Sequence, residues 1–352
     1  MSLNSPSPPR RSLSPTAVAV LVVLVAAAAI GGNAAYYELR PVPESGGSGS
    51  TVTLTDDLGR TVTVPVNASR VVVLAPSIMD SMSRLGLRAN VVGVDCDAAA
   101  DPASHGLAAD YNASQIAAWS LTPALCVGVL PAVNTEDLLN LSPALVLAST
   151  LSPVGSLEEA SRTYGIPLFF LAPTTVGGIV VDVTWLGEIF DRPQAAATLA
   201  DALQAVLGLA QNVSQNLTNS FTPLPTVLLT YYAAPAGSSY AGYFTYGPTT
   251  FGQSLVELAS GVSIASNTTT PYPELSGDEV LIANPQYIIY GTGFGIDLTT
   301  YQAAPEWAQF PAVSQGSAHG IDSNYLTEAD PSMVLIGLPW LLHALHPALV
   351  PG

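Results

Sequence analysis

A short pattern that occurs twice constrains the fold of this chain more than any other feature. Residues 135–147 read TEDLLNLSPALVL, and residues 277–289 read GDEVLIANPQYII. The two copies align without a gap, 142 positions apart, from 135 to 277. In each, acidic residues open a short helix, a polar residue and proline end it, and an apolar strand follows. The repeat therefore predicts two similar lobes, each with an acidic helix start at the same place.

The acidic residues of the two copies align in pairs. Glu136 matches Asp278, and Asp137 matches Glu279. Carboxylates in the first turn stabilise a helix by about 0.3–1 kcal/mol, and Ser276 with Glu279 fits a capping box. From the residues alone, helix capping is therefore the simpler interpretation, and a binding role stays open.

The order of apolar and helical segments predicts an α/β protein. The 352 residues suffice for two domains. Alternating runs at 51–65 predict a β-hairpin, and short apolar strands then alternate with helices, which indicates βαβ units and a mostly parallel sheet. Residues 176–221 contain no strand pattern and include one long helix. We therefore expect an N-terminal lobe at 51–175, a helical linker at 176–221 and a C-terminal lobe at 222–352.

The N-terminus has the layout of an export signal or membrane anchor. Residues 1–15 are rich in Ser and Pro and are predicted to be disordered, as a cytoplasmic segment or the n-region of a signal. Residues 16–37 are uncharged and follow Arg10 and Arg11, so they predict a cleaved signal or a transmembrane anchor. Residues 38–50 form a Gly/Ser-rich tether.

Charge and sequence motifs favour an extracytoplasmic protein. The net charge is −17 with nine Arg and no Lys, which excludes nucleic-acid binding as a function. Cys96 and Cys126 follow or begin neighbouring predicted strands, and outside the cell such a pair favours a disulfide over a metal site. Candidate glycosylation sequons begin at Asn67, Asn112, Asn212, Asn216 and Asn267.

Several segments, in order, carry a family resemblance. They are TLTDDLGRTVTVPVNASRVVVLAPSIMDSMSRLGL, NVVGVD, NTEDLLNLSPALVL, TFGQSLVELASGV, YPELSGDEVLIANPQYIIYG and APEWAQFPAVSQGSAHGID. Together they resemble the iron-siderophore and cobalamin periplasmic binding proteins of ABC importers. The resemblance implies the class III fold of that family: two Rossmann-like lobes joined by a long backbone helix, here with an N-terminal membrane segment. It covers roughly residues 51–347.

The resemblance also implies how the chain works. The ligand lies in the cleft between the lobes, and one acidic residue per lobe docks onto arginines of the permease. The matching positions are Glu136 and Asp278, and like charges on two lobe tips would give a two-point electrostatic register. The partners implied are an ABC permease and its ATPase. The chain has no Walker A motif and one apolar segment, so it is neither of these itself.

Candidate ligand-binding residues follow the predicted strands, because open α/β sheets bind ligands at the carboxyl ends of their strands. Asp80 matches an acidic position of the family, but it could equally be a first-turn helix acid. Ser77 could contact ligand or cap the helix. The aromatic residues could line the cleft or pack beneath a loop. The full set is Ser77, Asp80, Asp95, Asp97, Leu130, Tyr231, Tyr232, Tyr243, Phe244, Tyr246 and Phe294.

The remaining residues give little support to catalysis or metal binding. No hydrolase or metalloprotease motif occurs. His343 and His346 could share a helix face, but a surface position near a helix C-terminus explains them; His105 lies in a polar loop. We expect no metal site and no resident cofactor.

These observations predict a monomeric, extracytoplasmic solute-binding protein, not an enzyme, either membrane-anchored or secreted. Its ligand is a metal chelate, cobalamin or a ferric siderophore. The C-terminal lobe has no Arg or Lys, which favours a neutral or cationic ligand over an anionic one. The alternatives are a surface sensor or adhesin on the same fold, and an extracellular hydrolase.

Overall fold

The computed structural model describes residues 50–95, 126–128, 131–233, 242–293 and 296–350. It opens with a hairpin of β1 (Thr51–Thr55) and β2 (Thr61–Pro65), paired antiparallel. The turn is held by Asp56, whose carboxylate accepts hydrogen bonds from the amides of Leu58 and Arg60 and from the Arg60 guanidinium. Gly59 adopts φ +73°, a backbone conformation that glycine takes without strain. The DDLGR motif therefore specifies the turn.

The first lobe contains a four-stranded parallel sheet. Its strands alternate with helices because each apolar run is followed by a helix that covers one face of the sheet. The strand order is β4-β3-β5-β6. The elements, in chain order, are β3 (Val71–Leu74), α1 (Pro76–Arg84), β4 (Val91–Val94), α2 (Thr135–Asn140), β5 (Leu145–Ala148), α3 (Val154–Tyr164) and β6 (Leu168–Phe170).

Two helices lead from the first lobe to the second. They are α4 (Gly178–Ile189) and α5 (Pro193–Asn219). Pro193 begins α5, where its missing amide hydrogen and fixed φ are tolerated. At 27 residues, α5 is about 40 Å long. Its buried side chains recur every three or four residues, so one face packs along its whole length.

The second lobe contains a mixed six-stranded sheet. Its strand order is β10-β8-β7-β11-β12, with β9 beside β7. Strands β7, β9, β11 and β12 are parallel, whereas β8 and β10 add an antiparallel edge. The strands are β7 (Thr226–Ala233), β8 (Gly242–Thr245), β9 (Val262–Ser263), β10 (Glu274–Ser276), β11 (Tyr287–Thr292) and β12 (Ala318–Asp322).

Helices cover this second sheet and end the chain. They are α6 (Phe251–Leu258), α7 (Gly277–Ala283), α8 (Leu298–Gln302), α9 (Pro311–Ser314), α10 (Asn324–Thr327) and α11 (Leu338–Leu345). One turn of π-helix, Met333–Gly337, precedes α11.

A continuous apolar core joins the lobes. It includes Val73 of the first sheet, Leu203 of α5, Leu229 of the second sheet and Leu341 of α11, all fully buried or nearly so. Because α5 and α11 are part of this core, separating the lobes completely would expose apolar surface.

No helix within the described ranges is long and apolar enough to cross a membrane. The predicted membrane segment at 16–37 lies outside those ranges.

A carboxyl pair, in which Asp182 is buried and Asp57 is exposed, anchors the hairpin to α4. Asp182 of α4 is 6% exposed and hydrogen-bonds Asp57 of the hairpin turn. Burial first, then the charge of Asp57 and the hydrogen bond to it, raise the pKa of Asp182 to about 9. Asp182 therefore keeps its proton at neutral pH and donates it to Asp57.

We expect Asp182→Asn to change how stability depends on pH. In the wild type, the folded state retains a proton that unfolded Asp182 loses above its usual pKa. The free energy of unfolding should therefore fall between pH 4 and 9, by up to about 1.4 kcal/mol per pH unit. Asparagine has no proton to lose, so urea denaturation across this range should show a shallower fall. An unchanged slope would contradict the shared proton.

Candidate functional site

At the first acidic helix start, Asp137 takes part in the helix cap and Glu136 does not. Asn134 accepts hydrogen bonds from the amides of Glu136 and Asp137, at 3.0 and 3.3 Å, and so caps α2. Its own side-chain amide donates to Asp137 Oδ2 at 2.6 Å. Asp137 is thus bound to the cap. Glu136 is exposed, and its carboxylate has no hydrogen-bond or ion-pair partner within the described residues.

The second acidic helix start repeats this arrangement. Ser276 Oγ accepts from the amide of Glu279 at 3.2 Å, and Glu279 Oε2 accepts from the amide of Ser276 at 2.7 Å. These bonds lower the pKa of Glu279. The predicted capping box is confirmed. Asp278 is exposed, and its carboxylate is likewise without a partner in the part of the chain that the structure describes.

The correspondence of the two copies extends to the ends of the helices. Ser142 and Asn284, which occupy matching positions, adopt φ +46° and +44°. The proline after each is buried. The repeat is therefore a structural unit, and the first acid of each pair is presented at the same place on each lobe.

Asp80 is enclosed where the two lobes meet. It is 1% exposed, and its carboxylate oxygens lie 3.0 and 2.8 Å from Arg84 Nε, one turn later in α1. Arg84 Nη2 donates to Ser332 Oγ of the second lobe at 2.7 Å, and the Ser332 amide donates to Asp80 at 3.3 Å. This arrangement favours an interlobe contact over the predicted ligand contact for Asp80.

Ser77 also faces the second lobe. Its amide and hydroxyl both hydrogen-bond the carboxylate of Glu328. Ala75, not Ser77, occupies the N-cap position of α1, and no side chain caps that end of the helix. Glu328 therefore supplies the acceptor from the other lobe. Capping by Ser77 was wrong, because Ser77 already lies within the first turn.

The other candidates of the first lobe are partly outside the described residues. Asp95 is 1% exposed at the end of β4, and its amide donates to Val73 O. Cys96, Asp97 and Leu130 lie outside the described ranges, as does Phe294 of the second lobe. Their ligand contacts stay predictions.

Two of the predicted cleft aromatics belong to the core instead. Tyr243 is 1% exposed and packs against Trp307 and Phe310, with ring centroids 6.3 and 5.6 Å away. Tyr246 is 3% exposed, and its hydroxyl donates to Leu326 O at 2.9 Å. The predicted loop contains strand β8, and alternation along that strand turns Tyr243 inward and Phe244 outward. Cleft positions for Tyr243 and Tyr246 were therefore wrong.

An accessible aromatic surface remains beside them. Tyr231, Tyr232 and Phe244 are half-buried. The ring centroid of Phe244 lies 6.4 Å from that of Tyr231 and 5.5 Å from that of Tyr232. The register of β7 on β8 shifts between Thr230 and Tyr232, and such a bulge re-aims the side chains beside it. Tyr272 is 52% exposed. Burial raises the pKa of Tyr231, and the neighbouring Tyr272 raises it further. We call Tyr231, Tyr232, Phe244 and Tyr272 the aromatic surface.

His343 and His346 both hydrogen-bond backbone carbonyl oxygens. His343 Nδ1 hydrogen-bonds Val350 O at 2.6 Å, and His346 Nε2 hydrogen-bonds Ala259 O at 3.0 Å. The described residues contain no group of three or more side chains suited to a metal. The predicted surface position of His346 was wrong, since it is 8% exposed. His105 lies outside the described ranges.

The cysteines and sequons are only partly described. Cys126 forms an isolated β-bridge with Val94, and Cys96 lies outside the described ranges, so the Cys96–Cys126 disulfide stays a prediction. The sequon residues Asn67, Asn212, Asn216 and Asn267 are exposed, and Asn112 is not described.

Sequence reasoning missed Glu328, Asp330 and Ser332, which meet α1 across the lobes. The only local signal was an acid-rich turn, EADPS, before an apolar helix. Their partners are some 250 positions away, as from Asp80 to Ser332. Tyr272 was missed because it lies alone between prolines.

Comparison with known proteins decides the family. The model of a family described as periplasmic binding protein matches residues 71–325, more than half of the chain. The chain belongs to this family. It is a substrate-binding protein of the ABC-importer type and not an enzyme. The recognition from sequence is confirmed.

Curated relatives of this binding protein include a cobalamin-binding protein of Halobacterium salinarum. The two are 28% identical over 291 residues, which is 80% of this chain and 71% of the relative. A vitamin B12-binding protein of Photorhabdus laumondii is 26% identical over 227 residues, 64% of this chain and 71% of the relative.

Solved structures share the fold. The molybdate periplasmic binding protein MolA of Haemophilus influenzae matches with a TM-score of 0.69 at 20% identity, covering 85% of this chain and 92% of that one. An Fe3+-hydroxamate transport protein of Saccharomonospora viridis gives 0.66 at 19%, covering 84% and 99%. The periplasmic vitamin B12-binding protein of Vibrio cholerae gives 0.59 at 20%, covering 81% and 99%. The two-lobed class III fold predicted from the sequence is therefore confirmed.

Proposed function

We propose that this binding protein captures cobalamin, or a related neutral or cationic metal chelate, between its lobes and delivers it to an ABC permease. The observation that carries the ligand class is the absence of Arg and Lys from the sequence of the second lobe, residues 222–352. The cobalamin- and B12-binding names of the curated relatives support the first choice of ligand.

Three arginines of the first lobe are used within the fold. Arg60 pairs with Asp56 and Glu158, Arg84 pairs with Asp80, and Arg70 donates to Leu141 O. The second lobe has no Arg or Lys at all. Anionic siderophores are best bound by guanidinium groups, which match carboxylates in geometry. A carboxylate-rich ligand would find no such group on the second lobe.

The aromatic surface supplies the complementary feature. Tyr231 and Tyr232 belong to the last residues of β7, at the carboxyl edge of the parallel strands, where α/β sheets bind ligands. Half-buried tyrosines offer apolar faces together with hydroxyl groups. Such a wall suits a large, flat organic chelate.

For delivery, we propose that Glu136 and Asp278 are the docking points on permease arginines. Their exposure, and the use of Asp137 and Glu279 in capping, support this assignment. We further propose a monomer held at the periplasmic or outer cell surface by residues 16–37, with a Cys96–Cys126 disulfide and glycans at the exposed sequons. A surface sensor is distinguished from an importer by the lack of a permease partner.

A thermal-shift screen tests the ligand class. Cobalamin at 100 times its dissociation constant should stabilise the protein by roughly 2.7 kcal/mol, which raises the Tm by several degrees. Haem, a ferric hydroxamate and a ferric catecholate form the comparison set, and the anionic catecholate should give the smallest shift. A larger shift with the catecholate, or none with any chelate, would contradict the proposal.

The aromatic surface provides the matched variants for this screen. Tyr232→Ala should weaken binding of the stabilising ligand about tenfold or more, because it removes a stacking face. Tyr164→Ala, at an exposed tyrosine of α3 in the first lobe, should leave the shift unchanged.

A further inference from the structure

The two acidic helices pack on their lobes alike but differ on their exposed faces. Leu138 of α2 and Val280 of α7 occupy matching positions of the repeat and are 2% and 0% exposed, so both helices turn the same face inward. Four residues after the first acid, α2 carries Asn140 and α7 carries Ile282. Both of these residues are exposed. The lobe tips therefore match in position but not in chemistry.

Ile282 is the aliphatic residue that the fold leaves most open to solvent. It is 85% exposed, whereas the next most exposed Ile, Leu or Val within the described ranges is Leu151, at 63%. Single exposed apolar residues are common on protein surfaces, so exposure alone does not mark a contact. The position of Ile282 relative to Asp278 is the second observation.

Ile282 lies on the same face of α7 as Asp278. Residues four apart in a helix are neighbours, with about 5–6 Å between their β-carbons. The bond from Cα to Cβ tilts toward the helix N-terminus, so Ile282 leans over the turn that contains Asp278. A surface that approaches the Asp278 carboxylate from solvent therefore also meets Ile282.

The second lobe also has the shorter of the two acids. Aspartate holds its carboxylate one carbon–carbon bond, about 1.5 Å, closer to the backbone than glutamate does. To pair with an arginine, Asp278 must bring α7 closer to the partner than Glu136 brings α2. This closer approach covers Ile282.

The charges at this turn restrict the chemistry of the partner. Asp278 and Glu279 open α7, and the side chain of Glu306 packs over Gly277, where an added β-carbon would lie 2.4 Å from Glu306 Cγ. Residues 222–352 contain no Arg or Lys. The complementary surface is therefore basic opposite the start of α7 and apolar opposite Ile282.

We propose that Ile282 makes the second-lobe docking point a mixed contact, in which Asp278 pairs with an arginine of the permease and Ile282 packs against an apolar side chain beside that arginine. The first-lobe contact, at Glu136 and Asn140, is polar throughout. This inference rests on the proposed docking function and adds that the two contacts differ in kind. Covering an aliphatic side chain strengthens association without adding a charge pair.

The variant Ile282→Asn gives α7 the residue of α2 and tests this contact. Binding of the full chain in detergent, without added ligand, to the immobilised permease and ATPase complex is measured over a range of salt concentrations. Ile282→Asn should raise the Kd about tenfold at every salt concentration and leave the salt dependence unchanged. Asp278→Ala should weaken binding and also reduce the salt dependence, because it removes a charge.

Two matched variants control for general loss or gain of apolar surface. Phe221→Asn removes a side chain that is 93% exposed just after α5, and it should leave the Kd unchanged. Asn140→Ile should not tighten binding, because the first-lobe contact is polar. Tighter binding by Asn140→Ile would overturn the proposed difference between the lobes. Because Ile282 is exposed, the Tm of Ile282→Asn should match that of the wild type.

The outcomes separate this inference from the docking function on which it rests. If neither Glu136→Ala nor Asp278→Ala weakens binding, the docking function itself is wrong. If both weaken it while Ile282→Asn keeps the wild-type Kd, docking stands and the mixed contact is overturned.

Discussion

Replacing Glu136 and Asp278 together by alanine should abolish delivery to the permease while leaving ligand affinity unchanged. Each exposed carboxylate offers a charge-assisted contact to an arginine, and truncating one partner of a desolvated charge pair costs about 2–5 kcal/mol. Each single variant should reduce ligand uptake by roughly tenfold or more. Uptake is measured in proteoliposomes that contain the permease and its ATPase, and affinity by calorimetry on the isolated protein.

The neighbouring acids are the matched controls for this experiment. Asp137→Asn and Glu279→Gln remove the same charge one position further along, from side chains that are bound to the helix caps. They should leave uptake near the wild-type rate. Equal losses in both sets would mean that net charge alone matters. Loss of ligand binding by Glu136→Ala or Asp278→Ala would place these acids in the cleft or the fold.

Replacing Arg84 by alanine should destabilise the protein by about 3–5 kcal/mol at pH 8. Arg84 Nε lies 2.8 Å from Asp80 Oδ2, with both side chains almost fully buried. Without the guanidinium, the Asp80 carboxylate would lose its ion pair at a position where it is 1% exposed. Urea denaturation gives the free energy of unfolding.

Two further variants separate the ion pair from general effects of losing an arginine. Arg162 is exposed, and its one hydrogen bond within the described residues is to Glu158 O, at 3.4 Å, so Arg162→Ala should change stability by about 0.5 kcal/mol or less. Asp80→Ala/Arg84→Ala removes both charges and should be less destabilised than Arg84→Ala alone. If the loss of stability in the double variant equals the sum of the losses in the two single variants, the two charges do not interact.

Local chemistry explains which parts of the site could be predicted from sequence. The capping box at Ser276 depends on two residues three positions apart, so it could be predicted from the sequence. The same holds for the turn at Asp56 to Arg60. Only the three-dimensional structure distinguishes Glu136 and Asp278 from the capping acids, because both members of each pair are first-turn carboxylates.

The aromatic residues show the limit of this reasoning. Tyr243 and Phe244 are adjacent and equally suited to a cleft wall. Pairing of β8 with β7 and β10 places Tyr243 against Trp307 and leaves Phe244 half-exposed. A shift by one residue would exchange them. Composition alone could not decide which aromatic ring meets the ligand.

The sequence by itself determined the two-lobed plan, because a repeated helix start and alternating strands and helices depend on neighbouring residues. It also determined where each lobe presents its acidic turn. Only the tertiary structure decided the roles of Asp80, Arg84 and Glu328, since their partners lie in the other lobe. The physical reason is that burial and interlobe contact set the charge of a side chain, and neither is encoded within a few residues of it.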